Sequence, residues 1–280
     1  MAPEDCALGI TGGRGLLDRC DPKMREMVMA GLLRASDPDP LLVVNPGGTS
    51  PLLFTADHAG RVIPTALGDL GLADAERARH IGWDIGIWGV TKRLAATLDA
   101  VALGQLYSRL VIDCNRNPAW PGSMPVISES TDIPGNLHLT ETDRAARVAE
   151  IFTPYHSRIA AELDRGGFGA LIAMHSFTPV YKGVARPWHA GVLFHRHDRL
   201  AMIMAELLRA EGGLVVGENE PYFVNDATDY SVPVHAERRG LPYLELEIRQ
   251  DLIADAAGEI AWAERLGRLL PVMWERFKGE

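Results

Sequence analysis

Residues 52–58 read LLFTADH, an apolar run that closes on an aspartate and a histidine. A run this short, bounded by polar residues, predicts a buried strand, since a helix needs a longer stretch. The same pattern recurs through the chain as LLVVN (41–45), VALGQL (101–106), LVIDCN (110–115), ALIAMHS (170–176), AGVLFHR (190–196), LVVGENE (214–220) and LPYLELEIR (241–249). Helical patterns stand between these runs, over 74 to 97, 141 to 164 and 198 to 211, and a further helix follows the last one. Alternation of this kind predicts an α/β fold, a three-layer αβα domain with a central mixed, largely parallel sheet. No linker, internal repeat or low-complexity tract breaks it, so one catalytic domain is expected over 40–280. Residues 1–39 read as an N-terminal extension in which MREMVMAGLLRA (24–35) has the spacing of one amphipathic helix.

Composition narrows the function. A chain of 280 residues with 47% hydrophobic content can bury a sizeable core. The formal charge of -9 argues against nucleic acid or an acidic membrane surface as partner and favours a small polar substrate. No apolar stretch approaches the roughly 20 residues that span a bilayer, and MAPEDCALGITGG lacks a basic region followed by a long apolar core. Cys6, Cys20 and Cys114 are scattered without CxxC spacing. A reducing, cytoplasmic setting is the expectation.

The polar residues fall where the apolar runs stop. Asp57 and His58 end one run, Asp113, Asn115 and Arg116 another, and His175 and Ser176 a third; Asn219 and Glu220 follow a fourth, while Glu245 and Glu247 lie in the last. In open α/β sheets the ligand crevice lies beyond the carboxyl ends of the strands, so these distant segments can converge on one site. A serine hydrolase would show a GxSxG elbow, which is absent. Cys114 alternates away from its polar neighbours, and GITGGRGLL lacks the ending of a phosphate-binding loop. HExxH and paired CxxC motifs are missing, which leaves a metal site assembled from separate strands. Hydrolysis by such a site needs two or three N/O ligands, an open position and a nearby carboxylate base.

Six segments, LLFTADHAGRVIP, HIGWDIG, SRLVIDCNRNP, MHSFTP, NEPY and VHAERRGLPYLELEIRQDL, resemble in order the N-formylglutamate amidohydrolase family over roughly residues 40 to 272. The resemblance implies a zinc-exopeptidase-like (phosphorylase/hydrolase-like) α/β fold related to zinc carboxypeptidases and aspartoacylase. It implies hydrolysis of an N-acyl amino acid, N-formyl-L-glutamate plus water giving formate and glutamate, with Zn2+ or another divalent metal. Two other readings stay open: a metallo-carboxypeptidase or N-acyl amino acid deacylase with a different acyl group, and a non-catalytic binder of an acidic amino acid.

By the same resemblance His58 and His175 are metal ligands, each with a turn or structural histidine as the alternative. Related carboxypeptidases supply a third ligand through HxxE, but here residues 58–61 are His58, Ala59, Gly60 and Arg61. Asp84 is the substitute, or else an acid on an exposed helix face; His80, one helical turn earlier, is a ligand, a supporting group or a surface histidine. Glu247, sharing a strand face with Glu245 and Arg249, is the proton-shuttling carboxylate or part of a solvated polar edge. Arg116 is expected to clamp the substrate carboxylate, with Asn115 assisting and Asp113 holding Arg116 in place. Arg109, Tyr222 and His235 are further candidate substrate contacts, and Arg61 and Arg249 candidate supporting cations.

Overall fold

The computed structural model describes residues 31–279, so the helix expected over 24–35 lies largely outside the described residues. The apolar runs build a seven-stranded sheet: β1 (Leu41–Val44), β2 (Leu52–Ala56), β3 (Ala102–Gln105), β4 (Ala170–Phe177), β5 (Ala190–Leu193), β6 (Val216–Glu218) and β7 (Tyr243–Arg249). The spatial order is β1-β3-β2-β4-β7-β5-β6. The four central strands β3, β2, β4 and β7 run parallel, and β1 and β5 pair antiparallel to them on either side. The expected mixed, largely parallel sheet is therefore present, and β2, β3 and β4 are buried along their whole length, as strands joined by crossover connections are.

Alternation along the strands divides the core in two. Phe54, Ile172, Met174, Leu244, Leu246 and Ile248 face one side, where they meet three helices, α2 (Ile87–Thr97), α5 (Arg199–Ala210) and α6 (Ala256–Gly279). Leu53, Leu171, Ala173 and Tyr243 face the other. That second side is covered by α3 (Glu141–Arg147) and α4 (Thr153–Arg165), joined through a π turn at Val148–Phe152, and by long irregular segments. Thr140 caps α3 reciprocally with Asp143, which fixes where the helix starts. Helix packing on both faces completes the three layers.

Two expected elements are different in the structure. The helix predicted over 74 to 97 stops after a single turn, α1 (Asp74–Arg77), and resumes only at Ile87. Gly86 permits the turn into the second helix: its φ is +79°, and a Cβ there would stand 1.9 Å from the Ile253 carbonyl oxygen. His80 and Asp84 therefore do not share a helix face but sit in the intervening loop.

The strand predicted at LVIDCN is a series of turns. Leu110, Val111 and Ile112 are consecutive and all buried, as in the fully buried strands, so what sets this segment apart is its lack of a ladder. Side chains from distant segments replace the missing ladder: Asn136 Nδ2 donates to Leu110 O, Arg147 Nη1 to Val111 O and His156 Nε2 to Cys114 O, each at 2.8 Å. A buried loop needs apolar side chains as much as a strand does, but it must satisfy its carbonyls by other means.

Candidate active site

The site lies on the second face of the sheet, at the carboxyl ends of the parallel strands. Asp57 and His58 leave β2, His175 stands on β4, and Glu247 is the register partner of His175 on β7. Asp84 arrives from the α1–α2 loop, where its backbone N–H donates to His58 O at 3.0 Å. Gly60 lets the chain turn away from His58, since a Cβ there would come within 2.1 Å of Leu106 O. His58, Asp84, His175 and Glu247, together with Arg109, Asp113, Asn115, Arg116, His80, Tyr222, Glu245 and Asp229, line a cavity of about 630 Å³.

Its centre is a set of acceptors aimed at one another. Asp84 Oδ2 lies 3.4 Å from His58 Nδ1 and 3.0 Å from His175 Nδ1. The far nitrogens face other carboxylates: His58 Nε2 is 2.7 Å from Asp113 Oδ1, and His175 Nε2 is 3.4 Å from Asp57 Oδ2. Asp113 in turn accepts from Arg109, from Nη2 at 2.7 Å and Nε at 3.1 Å. Asp57 Oδ1 accepts from Tyr155 Oη and Ser231 Oγ, both at 2.8 Å.

Asp113 held this way accepts the His58 Nε2 proton and leaves the Nδ1 lone pair facing Asp84, whereas His175 is hydrogen-bonded to Asp84 through Nδ1, and its Nε2 and Asp57 Oδ2 have no hydrogen-bond partner. One ligand atom from each of His58, Asp84 and His175 then lies within 4.8 Å of the others, all three residues buried. His58 Nδ1 has no hydrogen-bond partner. Buried carboxylates and incompletely paired imidazoles this close together call for a cation, and this N, N, O donor set suits a divalent metal. An exposed second cluster, His195, Asp226 and Glu237, differs because Arg196 already donates to both acids.

The carboxylates favour positive charge at this point: against burial and Arg109, Asp113 and Asp84 raise His58, and against burial Asp57 and Asp84 raise His175 well above its ordinary value. Burial opposes the charge on Asp84, yet His58 and His175 hold it far below the usual carboxylate range. Asp113 is likewise held low against burial, by Arg109 and His58. Burial pushes Glu247 up to about 7 and Glu245 up to about 8, with His175 pulling both back. Both glutamates are less than 6% exposed, so they are no solvated strand edge. Burial also raises the Cys114 thiol well above its ordinary value, which removes it as a nucleophile.

The remaining predicted residues divide. Asn115 Oδ1 accepts from the backbone N–H of Tyr230 (3.1 Å) and Ser231 (3.0 Å). Arg116 is held by Asp229 at 2.7 Å and Thr228 O at 2.9 Å, so Asp113 does not hold it, being committed to His58 and Arg109. His80 reaches the cavity wall beside Glu129, 3.6 Å away. His235 lies behind the wall, its Nε2 2.9 Å from His156 Nδ1. Arg61 stacks over Trp83, and Arg249 pairs with Asp251 at 2.8 Å; neither lines the cavity. Sequence reasoning noted Asp57 without giving it a role, and missed Tyr155, Ser231 and Asp229. Only Asp57 carried a local signal, its place beside His58; the others are 98 or more positions from what they bind.

Comparison with known proteins accords with this geometry. The family model described as N-formylglutamate amidohydrolase matches residues 50–254. Among solved structures, a gene product of Agrobacterium tumefaciens is 34% identical with a TM-score of 0.84, the match covering 88% of this chain and 99% of that one. An N-formylglutamate amidohydrolase from Ralstonia eutropha is 19% identical with a TM-score of 0.63, covering 87% and 100%. No curated protein matches.

Proposed function

The chain belongs to the N-formylglutamate amidohydrolase family and is an amide-bond hydrolase, and we propose that it cleaves N-formyl-L-glutamate to formate and L-glutamate with a divalent metal, zinc by choice, held by His58, Asp84 and His175. The observation that carries this reading is the buried convergence of His58 Nδ1, His175 Nδ1 and Asp84 Oδ2 beside Glu247. A metal bound there supplies Lewis-acid polarisation of the formyl oxygen and makes water a nucleophile near neutral pH.

The chain's own residues do the rest. Glu247 takes a proton from the attacking water as the new C–O bond forms, and delivers it to the glutamate nitrogen as the C–N bond breaks. Burial sets its carboxylate near neutrality, where it can both accept and release a proton. Arg109 keeps Asp113 ionised, and Asp113 orients the His58 ring. Arg116, anchored through Nη1 by Asp229, presents the rest of its guanidinium to the α-carboxylate. Asn115, its Oδ1 fixed by two backbone N–H groups, turns its Nδ2 donor to the same group.

Elemental analysis of purified wild type and His58→Ala, followed by a panel of N-formyl, N-acetyl and N-succinyl amino acids, tests the reading. About one metal per chain, deformylation of the glutamate derivative above all others, and loss of both in the variant are expected. Metal-free protein together with undiminished deformylation by His58→Ala would sink it. Preference for an acetyl or succinyl substrate would keep the chemistry and change the acyl group.

A further inference from the structure

Arg109 and Arg116 line the cavity and Arg186 stands behind its aromatic wall, and the three differ in what neutralises them. Arg109 is paired with Asp113 and Asp84, and Arg116 with Asp229. Arg186 has no carboxylate within ion-pair distance among the described residues. Its Nη1 donates to the Tyr222 hydroxyl at 2.9 Å and reaches Thr178 O at 3.5 Å. Its guanidinium carbon lies 4.7 Å from the ring centroid of Tyr222, 4.8 Å from that of Tyr181 and 5.9 Å from that of Phe177. All three rings line the cavity.

The local sequence explains the placement. After β4 the chain folds into a hairpin, Val180–Tyr181 paired with Val184–Ala185, turned by Lys182 and Gly183 at positive φ. Arg186 follows directly, and its backbone N–H closes the hairpin base on Pro179 O at 2.8 Å. The hairpin thus returns the guanidinium over the ring of Phe177, which stands two residues past His175 on the same strand face. Two residues of strand span about 7 Å, so the aromatic cage begins within one side chain's length of the candidate metal ligands.

Aromatic faces orient a cation without cancelling its charge. The rings that line the cavity therefore hold the Arg186 charge directly behind the wall of a cavity rich in acids.

We infer that Arg186 recognises the side-chain carboxylate of the acidic N-acyl amino acid, while Arg116 and Asn115 hold its α-carboxylate. The inference rests on the cavity being the site of N-formylglutamate hydrolysis. It makes Arg186, and the Tyr181 and Tyr222 rings that orient it, the determinants of an acidic over a neutral side chain.

The test compares kcat/KM for N-formyl-L-glutamate and its neutral isostere N-formyl-L-glutamine in wild type, Arg186→Gln and Arg186→Lys. Wild type should prefer the glutamate derivative, and Arg186→Gln should reduce that preference roughly 10 to 100-fold through KM, with Arg186→Lys restoring part of it. Because the readout is a ratio within one preparation, a general loss of folded enzyme cancels. A ratio unchanged by Arg186→Gln, or no preference for the dicarboxylate in wild type, overturns the inference. Wild type that hydrolyses neither compound overturns the reading beneath it, and the inference with it.

Discussion

Glu247 is the residue on which the proposed chemistry turns. It is 5% exposed, its Oε2 lacks a partner, and it stands beside His175 across adjacent parallel strands. A buried carboxylate without a full set of donors is costly, which is tolerable where a reaction uses it. Glu247→Gln preserves shape and removes the proton acceptor, so kcat should fall about 10²- to 10⁴-fold while KM and metal content stay within a few-fold of wild type. Loss of the metal in the variant, or a kcat within tenfold of wild type, would move the proton shuttle elsewhere. Alternation through LELEIR placed Glu247 with Glu245 on one strand face, and the resemblance of EIRQDL to the family element singled it out. What alternation could not tell is that the polar face is covered, since the covering residues come from other parts of the chain. Asp113 shows the same limit. Its neighbour Arg116 was the natural partner to read from sequence, yet the partners it has are Arg109, four positions before it, and His58, 55 positions away.

At the level of elements, the apolar runs that form ladders were readable and those that do not were misread. LLFTADH and ALIAMHS are strands; LVIDCN has the same composition and is a buried loop, because Asn136, Arg147 and His156 cap its carbonyls. Hydrophobicity reports burial, and only the fate of the backbone polar groups separates the two outcomes. The turn into α2 hinges on Gly86, and Asp84 reaches His58 from the loop that this turn ends. Two glycines with nearly equal positive φ isolate the effect. At Gly212 (φ +77°) an added methyl group would have nothing within 4 Å, whereas at Gly86 (φ +79°) it would collide with Ile253 O. Gly212→Ala should cost about 1 kcal/mol through its backbone conformation alone. Gly86→Ala should cost at least about 2 kcal/mol and also lower bound metal, because Asp84 lies two residues before it. Urea denaturation and elemental analysis of both variants check this; equal destabilisation, with metal retained in both, would mean that the contact at Gly86 does not set the position of Asp84.

Over the whole molecule, alternation of strands and helices made the three layers legible, but not the strand order, in which β7 inserts between β4 and β5. That insertion carries Glu245 and Glu247 into the protein's centre and opposes them, in pH dependence, to a second buried pair. Burial holds His156 down to about 4 and His235 to about 3, in each case below the ordinary 6.5. A histidine neutral in the folded state binds its proton only on unfolding, so its contribution to stability is complete above pH 6.5 and is lost as pH falls toward the folded value. The glutamates have the opposite sign: raised by burial, they take up protons first in the folded state, which gains stability as pH falls below their folded values. The two effects overlap between about pH 4.5 and 6.5, where they act in opposite directions. His235→Gln removes one member of the histidine pair and should expose the imbalance. Measured by urea unfolding of the two proteins side by side, the variant should gain roughly 2–3 kcal/mol relative to wild type between pH 7.5 and 4.5. A difference that stays constant across this range would show that His235 takes up its proton as readily in the folded protein as in the unfolded chain, and that the packing around Tyr230 and Phe152 does not exclude water from it.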